Sequence, residues 1–329
     1  MAIHLDRQEN FSFSKETQLF PIAGLVAAEL NRQGRTEESG EGISVSGEES
    51  DGTFRPLETL TERHHPIIVE LIATEAGVNA SEVVDFEMIL YDTQKSCIGG
   101  INSELIFSPR LDNQEMSFCA TMGLINSLKA SESLDNEASI RLISLFDHEE
   151  IGSNTAQGAD SNLLPAVLRR LSVLPSEGDP FESSTAFEQT LSSSFLISAD
   201  MAHSVNPNYA GNYETKHRPE MNKGTVIKIN ANARYATNSP GIVLLQEIAR
   251  KQNVPLQLFV VSNVSPCGST IGPMLSAKLG TRTLDLGNPQ LSMHSVRETG
   301  GVYDVEYGIR LFESFFEHYA EMEGRILVD

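Results

Sequence analysis

The stretch Ile140 to Phe146 is apolar along most of its length and stops abruptly at Asp147-His148-Glu149-Glu150-Ile151-Gly152-Ser153. A nearly continuous apolar run of strand length predicts a strand covered on both faces. The same arrangement recurs along the chain. Phe195 to Ala199 ends in Asp200-Met201-Ala202-His203, Leu105 to Phe107 leads into Ser108-Pro109-Arg110-Leu111-Asp112-Asn113, and Leu284 to Leu286 leads towards Met293-His294-Ser295. Val226 to Ile229 and Leu256 to Val261 read as further buried strands. Helical spacing predicts helices over Met116 to Leu128, Ala159 to Leu171, Ser239 to Lys251 and Ile309 to Glu321. Strands alternating with helices restrict the chain to a layered α/β fold with a largely parallel sheet.

The first third reads differently, and the composition changes near Ile101. Phe20 to Arg32 and Ile67 to Ala76 have helical spacing. Arg35 to Thr53 is rich in Gly, Ser and Glu, and has too little apolar surface to offset the entropy of ordering. Val83 to Tyr91 alternates apolar side chains at Val84, Phe86, Met88 and Leu90, which predicts a strand.

The formal charge of −21 over 329 residues repels phosphate backbones and argues against nucleic-acid binding. No apolar run approaches the roughly 20 residues that cross a bilayer, so no membrane partner is expected. Met1 to Asn10 does not read as a signal peptide. Cys97, Cys119 and Cys267 are far apart and odd in number, which argues against a disulfide framework. These features predict a cytoplasmic protein, with a vacuolar destination as the alternative.

In open α/β sheets, ligands bind beyond the carboxyl ends of the strands. Acids and histidine gather there in this sequence. Carboxylate oxygens with imidazole suit zinc, manganese or cobalt. A two-metal hydrolase needs a bridging carboxylate, terminal ligands on each ion and a free base for the attacking water. Adjacent side chains diverge, so one member of Glu149-Glu150 can bind metal while the other faces the water. Each piece alone has a plainer reading. An Asp at a strand end commonly caps a turn, Glu-Glu is commonly a solvated pair, and a lone His294 is commonly a hydrogen-bonded loop residue. It is the recurrence of acids and histidine after successive strands that points to a site.

Taken in order, these motifs resemble the M18 metallopeptidase family. The matching stretches are Arg110 to Asn113, Asp147 to Ser153, Ser198 to His203, Asn206 to Tyr209, Pro266 to Pro273, Met293 to Glu298 and the closing Leu327-Val328-Asp329. Ala2-Ile3-His4-Leu5 and Glu62-Arg63-His64-His65 fit as well. The resemblance implies a zinc-peptidase α/β layered sheet with an inserted dimerisation domain, both incomplete at the N-terminal side. Residues 1–103 would be the later part of the dimerisation domain, and 104–329 the later part of the catalytic domain. It implies Asp112 as the carboxylate bridging two zinc ions (with manganese or cobalt as alternatives), Glu150, Asp200 and His294 as further metal ligands, and Glu149 as general base. His203 and Lys223 would line the substrate pocket, with Lys223 facing an acidic side chain. His4 would reach into a neighbouring subunit's site. The implied activity is release of an N-terminal Asp or Glu from peptides, by dimers that assemble into a dodecamer.

The family's first metal ligand is a histidine in a His-Thr-Asp-Ser-Pro type motif, which this sequence does not contain. His4-Leu5-Asp6 has a similar pattern, but its flanks match the dimerisation stretch. The expectation is an under-liganded metal and a catalytic sheet with exposed apolar edges. Two other readings follow: a catalytically impaired subunit acting in assembly or regulation, and a related metal-dependent deacylase or amidase.

Overall fold

The computed structural model describes residues 12, 14–25, 57–129, 134, 137, 139–173, 185–263 and 265–326. The chain divides into two compact units, Met1–Met88 and Ile89–Asp329. Arg35 to Thr53 and His4 lie outside the described residues. So does most of Phe20 to Arg32, whose described part, Phe20 to Leu25, is irregular and not helical.

In the first unit, α1 (Leu60–Arg63) is opened by a capping box between Thr59 and Glu62. Helix α2 (Pro66–Ala76) starts with proline at its first position and stops at Gly77, which takes the left-handed conformation. It matches the helix predicted from the spacing of Ile67 to Ala76 and buries Val69 and Ala73. Arg63 meets Asp85 at 3.3 Å, and the His64 ring lies 4.8 Å from that of Phe86.

The second unit is built on two mixed sheets. Strands β1 (Cys97–Gly99) and β2 (Leu105–Ser108) open one of them. Helix α3 (Leu111–Ser127), α4 (Leu163–Ser172) and α5 (Ala186–Ser193) lead to β3 (Phe195–Ala199) and β4 (Ala202–His203). Then come β5 (Thr225–Ile229), α6 (Ser239–Lys251), β6 (Leu256–Val260), α7 (Ile271–Leu279), β7 (Arg282–Gly287), β8 (Pro289–Leu291), β9 (Glu298–Gly301) and α8 (Val302–Glu323). The four-stranded sheet has the order β3-β7-β5-β6, and the five-stranded sheet β1-β2-β9-β8-β4. Pairing of β1 with β2 places Cys97–Gly99 in the same sheet as Leu105–Ser108, across the expected division at residue 103.

The four-stranded sheet carries helices on both faces. Phe195 and Ile197 pack with Met116, Leu245 and Leu311, from α3, α6 and α8. Leu196, which points the other way, packs with Leu164, Phe187, Leu191 and Leu275, from α4, α5 and α7. Alternation along one strand therefore feeds two cores, which is why Phe195 to Ala199 reads as continuously apolar.

Three expectations are corrected. The sheets are mixed and not largely parallel: β5 runs antiparallel to β7, and β9 is antiparallel to both β2 and β8. Residues 83–91 form no strand, and Val84, Ile89, Leu90 and Tyr91 are exposed. Ile140 to Phe146 also forms no strand. In both stretches the apolar pattern is right, but among the described residues no neighbouring chain supplies the ladder of hydrogen bonds that makes a strand.

Strand β3 passes into β4 just where β7 passes into β8. Asp200 N donates to Leu286 O and Ala202 N to Asn288 O, so the two chains stay paired from one sheet into the other. Here a Cβ on Gly287 would lie 1.7 Å from the carbonyl oxygen of Asp200. Only glycine permits this approach. Gly287→Ala is expected to lower unfolding stability by about 3 kcal/mol, the upper part of the usual range for overpacking, as read from urea denaturation.

Candidate metal centre

The sequence places four acids in loops that follow apolar runs, and the fold brings those loops to one cavity. Its volume is about 370 Å³, and its lining includes Asp112, Glu149, Glu150, Asp200, His203, Lys228, Tyr235 and His294. Asp112 interrupts the first turn of α3: Asp112 and Asn113 have non-helical backbone angles, and Asn113 Nδ2 donates to Ala199 O at 2.7 Å. Glu149 and Glu150 sit on a short 3-10 turn, Glu149–Ile151. Left-handed backbone at Arg110, His148, Ser292 and His294 frames the cluster. Non-glycine residues rarely adopt that conformation, and it concentrates at functional sites.

Ligand atoms of Asp112, Glu150 and His294 lie within 4.8 Å of one another. His294 Nε2 is 3.2 Å from Asp112 Oδ2 and 3.1 Å from Glu150 Oε2. The side chain of Asp112 is 7% exposed, against 55% for Glu150 and 63% for His294, so the centre has a closed floor and an open mouth. Two carboxylates converging on one imidazole form a hard-donor set suited to a divalent cation. Burial, then the neighbouring carboxylates of Asp200, Glu150 and Glu298, push the Asp112 carboxyl up to about 7. Burial and the charges of Asp200 and Glu150 likewise push Glu149 up. Negative charge is thus crowded beyond what the protein's own cations offset, and a bound cation would relieve it.

The structure brings Asp112, Glu149, Glu150, Asp200, His203 and His294 to the same cavity wall. Partial desolvation, followed by the nearby Lys228 ammonium, holds the His203 imidazole below its ordinary range. Lys223 is elsewhere: it is exposed in the turn before β5 and outside the lining of this cavity. The carboxylate of Asp304 accepts from Asn222 N and, at 2.8 Å, from Gly224 N, which fixes that turn.

Two residues with evident roles were not singled out by sequence reasoning. Lys228, on β5, is buried. Its Nζ lies 3.5 Å from Asp200 Oδ1 and 5.4 Å from the centre of the Tyr235 ring. A lysine inside Val226 to Ile229 breaks the apolar run, and that break was the available signal. Glu298 is 2% exposed and receives two backbone hydrogen bonds, from Asp112 N at 2.9 Å and from His294 N at 2.8 Å. One carboxylate therefore ties together the two loops that carry Asp112 and His294 of the candidate metal centre. Its tie to Asp112 cannot be read locally from the sequence, because that partner is 186 residues away.

The model of the Aminopeptidase I zinc metalloprotease family, M18, matches residues 1–316. The chain belongs to the M18 family. An aspartyl aminopeptidase of Aspergillus oryzae is 68% identical across all of this chain, which spans 68% of that protein. In the solved Ape4 and Nbr1 complex, a chain of 47% identity superposes with a TM-score of 0.84 over 100% of this chain and 59% of its own length. The Saccharomyces cerevisiae mApe1 dodecamer matches at 35% identity and a TM-score of 0.68, over 79% of this chain and 56% of its own. The layered α/β fold expected for the second unit is thus the fold of solved M18 relatives.

Removing the Glu298 acceptor should loosen both ligand loops. Glu298→Ala is expected to weaken zinc binding by about 10- to 100-fold, the usual cost of losing a group that orients ligands. Glu298→Gln, which keeps one acceptor oxygen, should weaken it less. Competition with a chromogenic chelator measures both. An unchanged affinity in folded Glu298→Ala protein would assign the residue to packing alone.

Proposed function

We propose that the chain supplies most of the active centre of a metal-dependent aminopeptidase that releases an acidic residue from a peptide N-terminus. The observation that carries this reading is the convergence of Asp112, Glu150 and His294, with Glu149 and Lys228 on the same cavity wall. The name of the Aspergillus relative points to the same activity. Asp200 is the natural further ligand, and zinc is the metal named for the family. Two ions per complete site, with Asp112 bridging them, is the arrangement we favour, and manganese or cobalt could replace zinc in these donors.

A divalent ion held by these residues would polarise the scissile carbonyl and make a nearby water more acidic. The chain's own residues perform the remaining steps. Glu149 accepts the proton of the attacking water and returns it to the leaving amine. Its environment raises its proton affinity towards the range suited to a general base. Glu298 holds Asp112 and His294 in register while this happens. The open mouth at Glu150 and His294 admits a peptide end.

A chain of charge −21 repels an acidic peptide at long range, so its recognition must be local. Lys228 has the position for it. Among the described residues it is the lysine that lines the cavity, and Asp200 and Tyr235 orient its ammonium. We therefore assign contact with the acidic side chain to Lys228 in place of Lys223, with His203 completing the wall. A non-catalytic assembly subunit would need none of these convergent groups.

Homo-oligomerisation belongs to this proposal. A solved relative is a dodecamer, and Ile89, Leu90, Ile98 and Ile101 are exposed on this chain, as at a subunit contact. On this reading residues 1–103 mediate the contact and 104–329 hold the chemistry. Three unpaired cysteines suit a reducing, cytoplasmic setting.

Zinc-loaded protein is expected to release aspartate from peptides that begin with it, and Glu149→Gln to abolish the release while zinc stays bound. Bound zinc without release would support the assembly-subunit reading. Lys228→Met should lower kcat/KM for aspartyl peptides by about 10- to 100-fold relative to alanyl peptides, the scale of one charged hydrogen bond. Lys223→Ala should leave that ratio within about twofold, since exposed charges contribute little. The opposite pattern would return the specificity role to Lys223.

A further inference from the structure

Helix α3 packs against β9, and its Glu115 is 7% exposed. Glu115 Oε1 accepts from Asn288 Nδ2 at 2.8 Å. Glu115 Oε2 is buried and has no hydrogen-bond partner among the described residues. Gln290, on β8, is 1% exposed, and its Oε1 is likewise buried without a partner there. Buried polar atoms are almost always paired, so two orphaned acceptors call for a donor.

The sheet brings these two atoms near each other. Gln290 lies opposite Gly300 in the antiparallel pair of β8 with β9. Opposite residues project to the same face, with Cβ positions about 5 Å apart. Gly300 has no side chain, and Glu115 Oε2 takes up that place: a Cβ on Gly300 would lie 3.2 Å from it. Glu115 Oε2 is therefore within reach of the Gln290 amide. Glu298, two residues before Gly300, projects to the same face, and Gln290 Nε2 lies 3.5 Å from its Oε1. With the amide nitrogen turned to that carboxylate, the amide oxygen is the atom left for Glu115.

One water could donate to both orphaned oxygens, but it would leave a charge in place. The titratable groups that face Glu115 are the carboxylates of Asp304 on α8 and Glu298 on β9, with the Cys119 thiol on its own helix. Both carboxylates repel a further anion. Burial, which outweighs the Asn288 hydrogen bond, and then these carboxylates push the Glu115 carboxyl up to about 7. A proton on Oε2 removes the charge and supplies the missing donor at once. A carboxylic acid kept neutral by its surroundings can donate in this way.

We propose that Glu115 is a protonated positioning residue of the metal centre, whose O–H donates to Gln290 Oε1 and so braces Glu298, the carboxylate that holds the backbone of Asp112 and His294. Asn288 anchors the far end: it gives its other amide hydrogen to Asp304 O at 2.8 Å and accepts from Thr225 Oγ1 at 2.8 Å. A line of side chains thus runs from β5 to the loops of Asp112 and His294. The consequence for metal binding rests on the aminopeptidase reading; the hydrogen bonds do not.

Glu115→Gln and Glu115→Met separate a donor from mere bulk. Glutamine keeps an acceptor for Asn288 and a donor for Gln290, as the protonated acid does; methionine keeps the volume and neither bond. In metal-free protein at about pH 6, below the value to which Glu115 is pushed, the infrared difference between the unsubstituted chain and Glu115→Gln is expected to show the carbonyl band of a protonated carboxyl group. The amides of Asp112 and His294 should exchange about tenfold faster in Glu115→Met, with those of β6 unchanged, and stay within about threefold in Glu115→Gln. Zinc affinity, read by chelator competition, should fall by about 10-fold in the methionine variant and stay within about threefold in the glutamine variant. Absence of the band would give the orphaned atoms to a water beside an ionised Glu115 and overturn the proposal. Equal losses in both variants would overturn it too, since the site would then use the carboxylate charge and not a donor. So would folded Glu115→Met with unchanged exchange at both amides. If that variant fails to fold, the band and the glutamine variant decide. If the unsubstituted chain binds no zinc, the metal-centre reading falls, while the band and the exchange still decide the brace.

Discussion

The arrangement of the site depends on one buried carboxylate. Glu298 enters from the start of β9 and accepts from the backbone of Asp112 on one side and of His294 on the other. Both partners sit in segments that secondary structure does not hold: the broken first turn of α3, and a loop in left-handed conformation. Without a shared acceptor these loops would have no reason to keep a fixed spacing. With it, an aspartate and a histidine far apart in the chain approach to 3.2 Å. A charged acceptor suits the task, because hydrogen bonds to carboxylate are stronger than neutral ones.

Charge explains the next level of organisation. The fold crowds Asp112, Glu149, Glu150 and Asp200 around one cavity, and among the described residues Lys228 is the lysine that lines it. Such a cluster is costly without a counter-charge, in line with the burial and carboxylate repulsion that raise the proton affinities of Asp112 and Glu149. The cost is consistent with a centre organised around bound cations, in which repulsion among the ligands becomes attraction to the metal. The same logic makes Lys228 a counterion to Asp200, and in the function proposed above it is the cation that an acidic substrate meets.

Much of the framework was legible in the sequence. Proline and glycine punctuate α2, helical spacing marks α6, and the apolar runs of β3, β5, β6 and β7 stand where they were expected. The site acids were legible because Asp200 follows β3 directly, and Asp112, Glu149 and Glu150 follow the apolar runs of Leu105 to Phe107 and Ile140 to Phe146. The failures share a cause. Residues 83–91 and 140–146 have strand-like composition, but a strand is a relation between two chains, and no partner is present among the described residues. Strand direction was misread for a similar reason: nothing within β5 records that β7 runs against it. Lys228 was not read from the sequence, because a lysine inside a strand looks structural until the cavity behind it is seen.

The sequence by itself determined the types of element, the acids and histidines available for chemistry, and their order along the chain. These follow from local properties, namely side-chain periodicity, caps and the residues at strand ends. Tertiary structure alone decided which of them meet. It brought Asp112 to His294 through Glu298, turned Lys228 into the cavity, required glycine where β7 passes Asp200, and set Ile140 to Phe146 and β3 in the wall of one cavity. Those outcomes depend on contacts between residues distant in sequence, and on main-chain pairing that no single segment can encode.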